Sequence, residues 1–161
     1  MIPTTPFYQA LLGSVLFCTL LGVAGGLLTK LSPWYYALRQ PKWKPPDWAF
    51  GPVWTGIFIC LSFAIAFAWD AGTAAQRSSI LWVVAINGIL NMTWSAIFFT
   101  FKNPRLALVE LIVFWFSIVG LLFVLGKVSA TSLLLLLPYL LWVTTAGFLN
   151  YNIVRLNNDV H

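Results

Sequence analysis

The stretch WYYALRQPKWKPPDWAFGPVW, residues 34–54, holds four tryptophans, four prolines and three basic residues in 21 positions. It cannot form one continuous helix, because Pro41, Pro45 and Pro46 break the backbone hydrogen-bond ladder. It is also too aromatic for an ordinary solvated loop. We therefore interpret it as a rigid, basic connector, and the segments on either side decide what it connects.

Those segments are strongly apolar. Of the 161 residues, 60% are hydrophobic and only 8% are charged, whereas a soluble domain carries about 25% charged residues. A chain of this composition cannot cover itself with polar groups in water, so most of it must be in lipid. The net charge of +5 resides between apolar runs, where it sets membrane topology, and we expect no nucleic-acid partner.

A helix that spans a bilayer needs about 20 largely apolar residues. Five segments meet this requirement, and they predict an all-α membrane protein: a single domain, residues 1–161, in which five transmembrane helices form one bundle. The predicted spans are about 7–29, 52–71, 80–101, 106–125 and 132–154. Pro52 is predicted to start the second span, and the polar run DAGTAAQRSS is predicted to link the second span to the third.

Five spans place the two termini on opposite sides of the membrane and divide the basic residues into two sets. Arg77 and Lys127 lie on one side. On the other side are Lys30, Arg39, Lys42, Lys44, Lys102, Arg105 and Arg155. The excess predicts that the long first loop and the C-terminus are cytoplasmic and the N-terminus is outside. We expect the membrane to be a bacterial inner membrane.

Polar residues inside apolar runs are costly and therefore informative. Asn87, Asn91, Trp94 and Phe98 recur at helical spacing and share one face of the third span. Two interpretations stay open for the asparagines. They bind neighbouring helices through hydrogen bonds, or they line a cavity, which the adjacent Trp94 favours because an aromatic-plus-amide face suits a flat ligand with polar edges.

Two further spans present similar faces, which mix aromatic with small or polar groups. Both sets follow helical spacing. In the second span the face consists of Trp54, Phe58 and Ser62, and in the fifth of Tyr139, Trp142, Ala146 and Leu149.

Three other features invite structural interpretations. Glu110 is the acid placed well inside a span, and we expect it to pair with Arg105, with Lys102 or with another helix, with a role in proton relay as the alternative. Gly22 and Gly26 form a G-x-x-x-G pattern, typical of a close helix contact within one chain or of a dimer seam.

The segment LNYNIVR matches a loose sterol-contact pattern through Leu149, Tyr151 and Arg155. An interfacial tyrosine with a snorkelling arginine explains the same residues equally well.

The sequence contains no pattern typical of a catalytic triad, a metal site or a phosphate-binding loop. Cys18 and Cys60 lack Cys-x-x-Cys spacing and are expected to be small packing residues. The one histidine, His161, is the last residue and is expected to be solvated. We predict no metal site and no required cofactor. Histidine, a usual axial ligand of haem iron, is absent from the spans, so apolar and aromatic burial would have to hold a haem-like group with little help from iron ligation.

The motifs W-Y-x-x-L-x-x-P-x-W-x-P-P-x-W and L-N-x-x-W-S-x-x-F-F, with ALVEL and PYLLWVTTAGFLNY, cover the chain from about residue 20 to residue 157. In these motifs the chain resembles the translocator protein family, also called the peripheral benzodiazepine receptor or tryptophan-rich sensory protein family (TspO/MBR). The resemblance implies a five-helix membrane bundle, often a homodimer. It also implies an intrahelical pocket for porphyrins such as protoporphyrin IX or for isoquinoline carboxamide and benzodiazepine-type drugs, with cholesterol binding in some members.

The first loop covers this pocket in the family, which makes residues 34–54 a predicted lid. Prolines stiffen the lid, and Lys42 and Lys44 are positioned to meet porphyrin propionates. Phe58, taken from its helix face, joins the pocket residues that the resemblance implies. Those are Tyr35, Trp43, Trp54, Asn87, Asn91, Trp94, Trp142, Ala146 and Leu149.

Three functions follow from the resemblance. The favoured one is a receptor or sensor that binds porphyrin as its ligand and regulates a tetrapyrrole or stress response. The second is a light-dependent enzyme that degrades porphyrin, with Trp54 and Trp142 as electron donors. The third is a transporter of porphyrin or sterol, which the lack of an inverted repeat and of paired broken helices disfavours.

Overall fold

The fold is known from a computed structural model, which describes residues 5–157. All regular structure in that part of the chain is helical, and five helices are long and apolar enough to cross a membrane. The prediction of an all-α bundle with five transmembrane helices is confirmed. His161 lies outside the described residues. The helices are α1 (Thr5–Leu28), α2 (Pro33–Ala37), α3 (Asp47–Ala71), α4 (Ala74–Ser95, continued by a π-helical turn over Ala96–Thr100), α5 (Pro104–Gly126) and α6 (Ala130–Leu156).

The polar linker predicted between the second and third spans is wrong, because most of it is helical. The connection is reduced to Gly72 and Thr73, and α4 begins at Ala74. Thr73 and Gln76 form a capping box, in which each side chain bonds to the backbone of the other residue. A search for apolar residues misses this turn, since a capped helix end extends beyond the hydrocarbon region.

The prediction that Pro52 starts its helix is also wrong. Pro46 is the N-cap in extended conformation, Asp47 is the first helical residue, and Pro52 lies inside α3. The Asp47 carboxylate suits the positive end of the helix dipole. Pro52 is close enough to the start that only the carbonyl of Trp48 loses its expected donor.

Consecutive long helices run antiparallel, so the bundle has two distinct ends. At the end that carries the long connection, the Asn150 Nδ2 atom of α6 donates to the carbonyl of Pro104 at 3.0 Å. At the opposite end, the Ser132 hydroxyl donates to the carbonyl of Ala64 at 2.7 Å. We call the first of these the loop end. It gathers the seven basic residues assigned to one side, and the opposite end holds Arg77 and Lys127.

Candidate functional site

A cavity of about 320 Å³ lies between α1, α3, α4 and α6, towards the loop end. Its walls are dominated by aromatic rings from three helices, and glycines of α1 form the remaining wall. The aromatic residues are Phe50, Trp54, Phe58, Trp94, Phe99 and Trp142. A cavity of this size and apolarity is typical of a small-molecule site.

The rings pack edge-on and tilted, which fixes the shape of the cavity. Phe50 meets Trp142 at a centroid distance of 5.5 Å, and Trp54 meets Phe58 at 5.5 Å. On α4, the π-helical turn brings Phe99 to the wall, 6.0 Å from Trp94. Such pairs contribute roughly 0.5–1.5 kcal/mol each beyond simple burial, so the walls hold their positions without a ligand.

The glycines of α1 make room for the cavity, which the sequence pattern did not reveal. A Cβ atom added at Gly22 would lie 3.5 Å from the ring of Phe58, in ordinary contact, whereas one added at Gly25 or Gly26 would meet nothing within 4 Å. Gly22 and Gly26 both line the cavity. The G-x-x-x-G pattern therefore forms part of a cavity wall. This role differs from the close helix contact and the dimer seam that the pattern suggested.

Two tryptophans of the wall carry unused hydrogen-bond donors. The Nε1 atoms of Trp94 and Trp142 are buried and have no partner among the described residues. Trp115 of α5 shows the usual arrangement, in which a buried indole N–H has an acceptor: its Nε1 donates to the hydroxyl of Thr144 on α6 at 2.8 Å. A buried donor without a partner costs about 1–3 kcal/mol, and a ligand with suitably placed acceptors would remove that cost.

A chain of hydrogen bonds runs from the cavity wall into the core. Asn91 donates to the hydroxyl of Tyr139 at 3.3 Å, and that hydroxyl donates to the Oδ1 atom of Asn87 at 2.9 Å. Asn87 in turn donates to the hydroxyl of Ser117 on α5 at 2.8 Å. Both interpretations of the asparagines are therefore realised, since Asn91 lines the cavity and Asn87 binds helices together one turn deeper.

Six of the ten predicted ligand-binding residues line this cavity. They are Trp54, Phe58, Asn91, Trp94, Trp142 and Ala146. The other four do not reach it, namely Tyr35, Trp43, Asn87 and Leu149. Spacing along one helix selects a face, but the cavity occupies only part of that face. Whether any of the ten binds a ligand stays a prediction.

Apart from the main core of the bundle, a second apolar cluster closes the loop end. Its buried members are Tyr35, Phe98, Phe99, Ala107, Leu149 and Ile153. Leu149 is turned towards Tyr35, Phe98 and Ile153 rather than towards the cavity. The ring of Tyr35 lies 5.7 Å from that of Phe99, whose own ring reaches the cavity. Tyr35 and Leu149 therefore pack behind the cavity wall at the loop end and do not line the cavity.

The loop is held in place by polar contacts. The Lys44 ammonium forms an ion pair with Asp47 and donates to the Tyr35 hydroxyl at 3.0 Å. The backbone N–H of Arg39 donates to the side chain of Asn157 at 3.0 Å, and Asn157 donates back to the Arg39 carbonyl at 2.9 Å. The predicted role of Lys44 with propionates does not fit this arrangement, since its charge is already paired.

These contacts shift the titration of the loop. Burial raises the pKa of the Tyr35 phenol above its ordinary value, although Lys44 opposes the shift. Burial lowers the pKa of Lys44, but hydrogen bonds to Asp47 and Tyr35 outweigh it, and the pKa ends above its ordinary value. Trp43 is 49% exposed on the outside of the loop. Within the predicted lid, residues 34–54, Phe50, Gly51 and Trp54 line the cavity from the first turns of α3, whereas residues 34–46 do not reach it. The action of this segment as a lid stays a prediction.

The predicted ion pair of Glu110 is absent among the described residues. Both of its carboxylate oxygens are buried there without a hydrogen-bond partner. Arg105 precedes it by five residues and so points about 140° away around the helix, and Lys102 precedes the helix altogether. The described residues also contain no cluster of metal-ligating side chains, and Cys18 and Cys60 are free thiols.

The sterol pattern does not form one surface. Tyr151 and Arg155 are exposed and one helical turn apart, whereas Leu149 is buried in the second cluster. A separation of two residues turns a helical side chain by about 200°. Leu149 therefore cannot contact a sterol that rests on Tyr151 and Arg155.

Comparison with known proteins bears on the whole bundle. The model of the TspO/MBR family matches residues 14–156. "Tryptophan-rich protein TspO" of Chlorobaculum tepidum is 41% identical over 143 residues, which cover 87% of this chain and 90% of that protein. "Protein CrtK" of Rhodobacter capsulatus is 30% identical, covering 87% and 88%. The human "Translocator protein" is 29% identical, covering 78% of this chain and 75% of the human protein.

Proposed function

This chain belongs to the TspO/MBR family of membrane proteins, and we propose that it is a receptor for porphyrins of the protoporphyrin IX type. The same cavity would accept isoquinoline carboxamide and benzodiazepine-type ligands. Occupancy of the cavity would report tetrapyrrole levels and so regulate a tetrapyrrole or stress response.

The observation that carries this proposal is the pair of unused indole donors in an aromatic cavity. Trp94 belongs to α4 and Trp142 to α6, both residues line the cavity, and neither indole N–H has a partner among the described residues. A flat aromatic ligand with carboxylate or carbonyl oxygens at its edge would stack on the rings and accept from both donors. Porphyrins with propionate groups and carboxamide drugs both have this chemistry.

The volume of the cavity implies that the site must open for a tetrapyrrole. At about 320 Å³ it lies at the lower end of the range for small-molecule sites. The loop connects α1 to α3 and packs on Phe98 and Phe99 at this end of the cavity through Trp34 and Tyr35. Displacement of this loop on binding is the action that we assign to the lid.

The test is a titration of the purified protein with protoporphyrin IX in the dark, read by tryptophan fluorescence quenching and porphyrin absorbance. Trp142→Phe should weaken binding by about 1–2 kcal/mol, or roughly five- to thirtyfold, because it removes one donor and part of the stacking surface. Trp82→Phe is the matched control, since Trp82 is 69% exposed on the outer face of α4. Equal affinities of the two variants would overturn the assignment of the site.

A second function is favoured by the position of Trp54 and Trp142, which face the same cavity. Indole rings beside an excited porphyrin are suited to donate electrons to it, which is the basis of a light-dependent degrading enzyme. That function predicts loss of porphyrin absorbance only under illumination, and an undiminished loss in a Trp54→Phe, Trp142→Phe double variant would exclude the tryptophan mechanism. A transporter instead predicts porphyrin flux into sealed proteoliposomes.

We also propose that the protein lies in a bacterial inner membrane with its loop end in the cytoplasm, and that it forms a homodimer. The seven basic residues at the loop end, against two at the other, support the orientation. Cysteine labelling at position 44 from the outer side of intact cells would refute it.

A further inference from the structure

A groove on the outer surface between α5 and α6 is separate from the cavity described above. It has a volume of about 430 Å³ and shares no lining residue with that cavity. Its walls are formed by Leu108, Leu111, Ile112, Trp115, Thr144, Gly147, Phe148 and Tyr151. The helices approach closely at its base, where a Cβ atom added at Gly147 would lie 3.0 Å from Leu111.

Apart from the hydroxyl of Tyr151 at one end, the side chains that line the groove offer no open hydrogen-bonding group. The Nε1 atom of Trp115 donates to the hydroxyl of Thr144, and that hydroxyl donates to the carbonyl of Leu140 at 2.7 Å. The occupant of this part of the groove must therefore be apolar. Residues 144 to 151 span about 10 Å of α6, so the groove is a narrow, elongated track.

One end of the track is positively charged. Arg155 follows Tyr151 by one helical turn on the same face of α6, and it is exposed. It makes no ion pair or hydrogen bond with any described residue. Arg105 is exposed in the first turn of α5, three residues before Leu108, and so lies at the same end.

We propose that this groove binds one acyl chain of an anionic phospholipid, with the phosphate of the headgroup held at Arg155. The apolar track would receive the chain, and the arginine lies where the headgroup of a lipid in that leaflet would be. A guanidinium pairs with phosphate oxygens in a fork geometry. In a zwitterionic lipid the positive group of the headgroup offsets the phosphate charge, so this pairing favours an anionic lipid. Along α6, Tyr151 lies between the rest of the apolar track and Arg155.

Two other occupants fit less well. A sterol would have no phosphate for Arg155, and Leu149 of the sterol pattern is buried on the other side of α6. A second copy of the chain would bring the same charged end opposite itself, because two-fold symmetry in a membrane places equal ends at equal depth. Arg155 of one copy and Arg155 of the other would then repel one another.

The test uses the delipidated full chain in an uncharged detergent. The probes are phosphatidylglycerol and phosphatidylcholine that carry bromine on their acyl chains. Bromine quenches tryptophan fluorescence at short range. The difference in quenching between the unaltered protein and a Trp115→Phe variant therefore reports the groove alone. Phosphatidylglycerol should half-quench that signal at about a fivefold lower concentration than phosphatidylcholine.

Arg155→Gln should abolish the difference between the two lipids, and Lys30→Gln should preserve it. Lys30 is exposed at the same end of the bundle, but it follows α1, which packs on α3 and α4. Ile112→Phe should weaken quenching by both lipids because it narrows the track. Val113→Phe, on a neighbouring exposed position of α5 outside the groove, should not.

Three results would overturn the proposal. Equal quenching by both lipids, unaffected by Arg155→Gln, would mean that the groove holds only unselected bilayer lipid. Displacement of the lipid by cholesterol with no dependence on Arg155 would identify a sterol site. A change of oligomeric state in Ile112→Phe, measured by light scattering, would assign the groove to a second copy. If Ile112→Phe fails to fold, the Arg155→Gln comparison still decides.

Discussion

The hydrogen-bond chain behind the cavity makes Tyr139→Phe the most informative stability variant. The phenol is fully buried and joins α6 to α4 by two bonds, one from Asn91 and one to Asn87. The change removes a single oxygen and keeps the ring, so packing is preserved. It leaves the Oδ1 atom of Asn87 without its donor and the Nδ2 atom of Asn91 without its acceptor.

The expected cost can be bounded from both sides. An unsatisfied buried group costs about 1–3 kcal/mol in soluble proteins, whereas interhelical hydrogen bonds in membranes average about 0.6 kcal/mol. With two groups affected, we expect a loss of about 1–3 kcal/mol in the free energy of unfolding. Asn87→Leu should cost a similar amount. The double variant should cost less than the sum of the two by about 1 kcal/mol, since no donor or acceptor is then orphaned between them.

The assay is reversible unfolding in mixed micelles of increasing denaturing detergent, followed by circular dichroism. Tyr151→Phe is the control, because Tyr151 is exposed to lipid and its hydroxyl makes none of these bonds. Strict additivity of Tyr139→Phe and Asn87→Leu, or a Tyr139→Phe variant as stable as Tyr151→Phe, would refute the network as a source of stability.

Three further predictions concern the ends of the bundle. Thr73→Ala should destabilise the fold by about 1 kcal/mol, because it removes the N-cap of α4, and the same unfolding assay measures it. Asn157→Ala should speed hydrogen exchange at the amide of Arg39, which loses its acceptor, while core amides of α5 keep their rates. Stability should fall as pH rises above about 10, since folding holds the protons of Tyr35 and Lys44 more tightly than the unfolded chain does. Unfolding midpoints at pH 9 and pH 11 would show this, and Tyr35→Phe should reduce the difference; a midpoint independent of pH would contradict it.

Hydrophobic runs and helical spacing predicted much of the architecture. The runs located five spans, and the spacing on the second, third and fifth spans selected Trp54, Asn91 and Trp142 for the wall of one cavity. Both signals are local, since one depends on the lipid solvent and the other on helix geometry. The helix ends were missed where capping rather than hydrophobicity sets them, as at Thr73.

The remaining features depend on contacts between distant segments. Gly25 shows its purpose only when α1 is packed against α3 and α4, because a missing side chain carries no periodic signal. Asn87 and Asn91 share a face, but the cavity ends between them, and nothing in the third span marks that depth. The clamp of Arg39 by Asn157 joins residues 118 positions apart, and its residue types are common in any loop.

The central claim, that the cavity among α1, α3, α4 and α6 is the porphyrin site, is tested most directly by filling it. Gly25 lines the cavity and has open space where a Cβ atom would lie, whereas Gly120 on α5 has equal space outside the cavity. In a dark titration with protoporphyrin IX, Gly25→Leu should weaken binding about tenfold or more, the cost of overpacking a formed site, and Gly120→Leu should bind like the unaltered protein. Equal affinity of the two variants would contradict the claim.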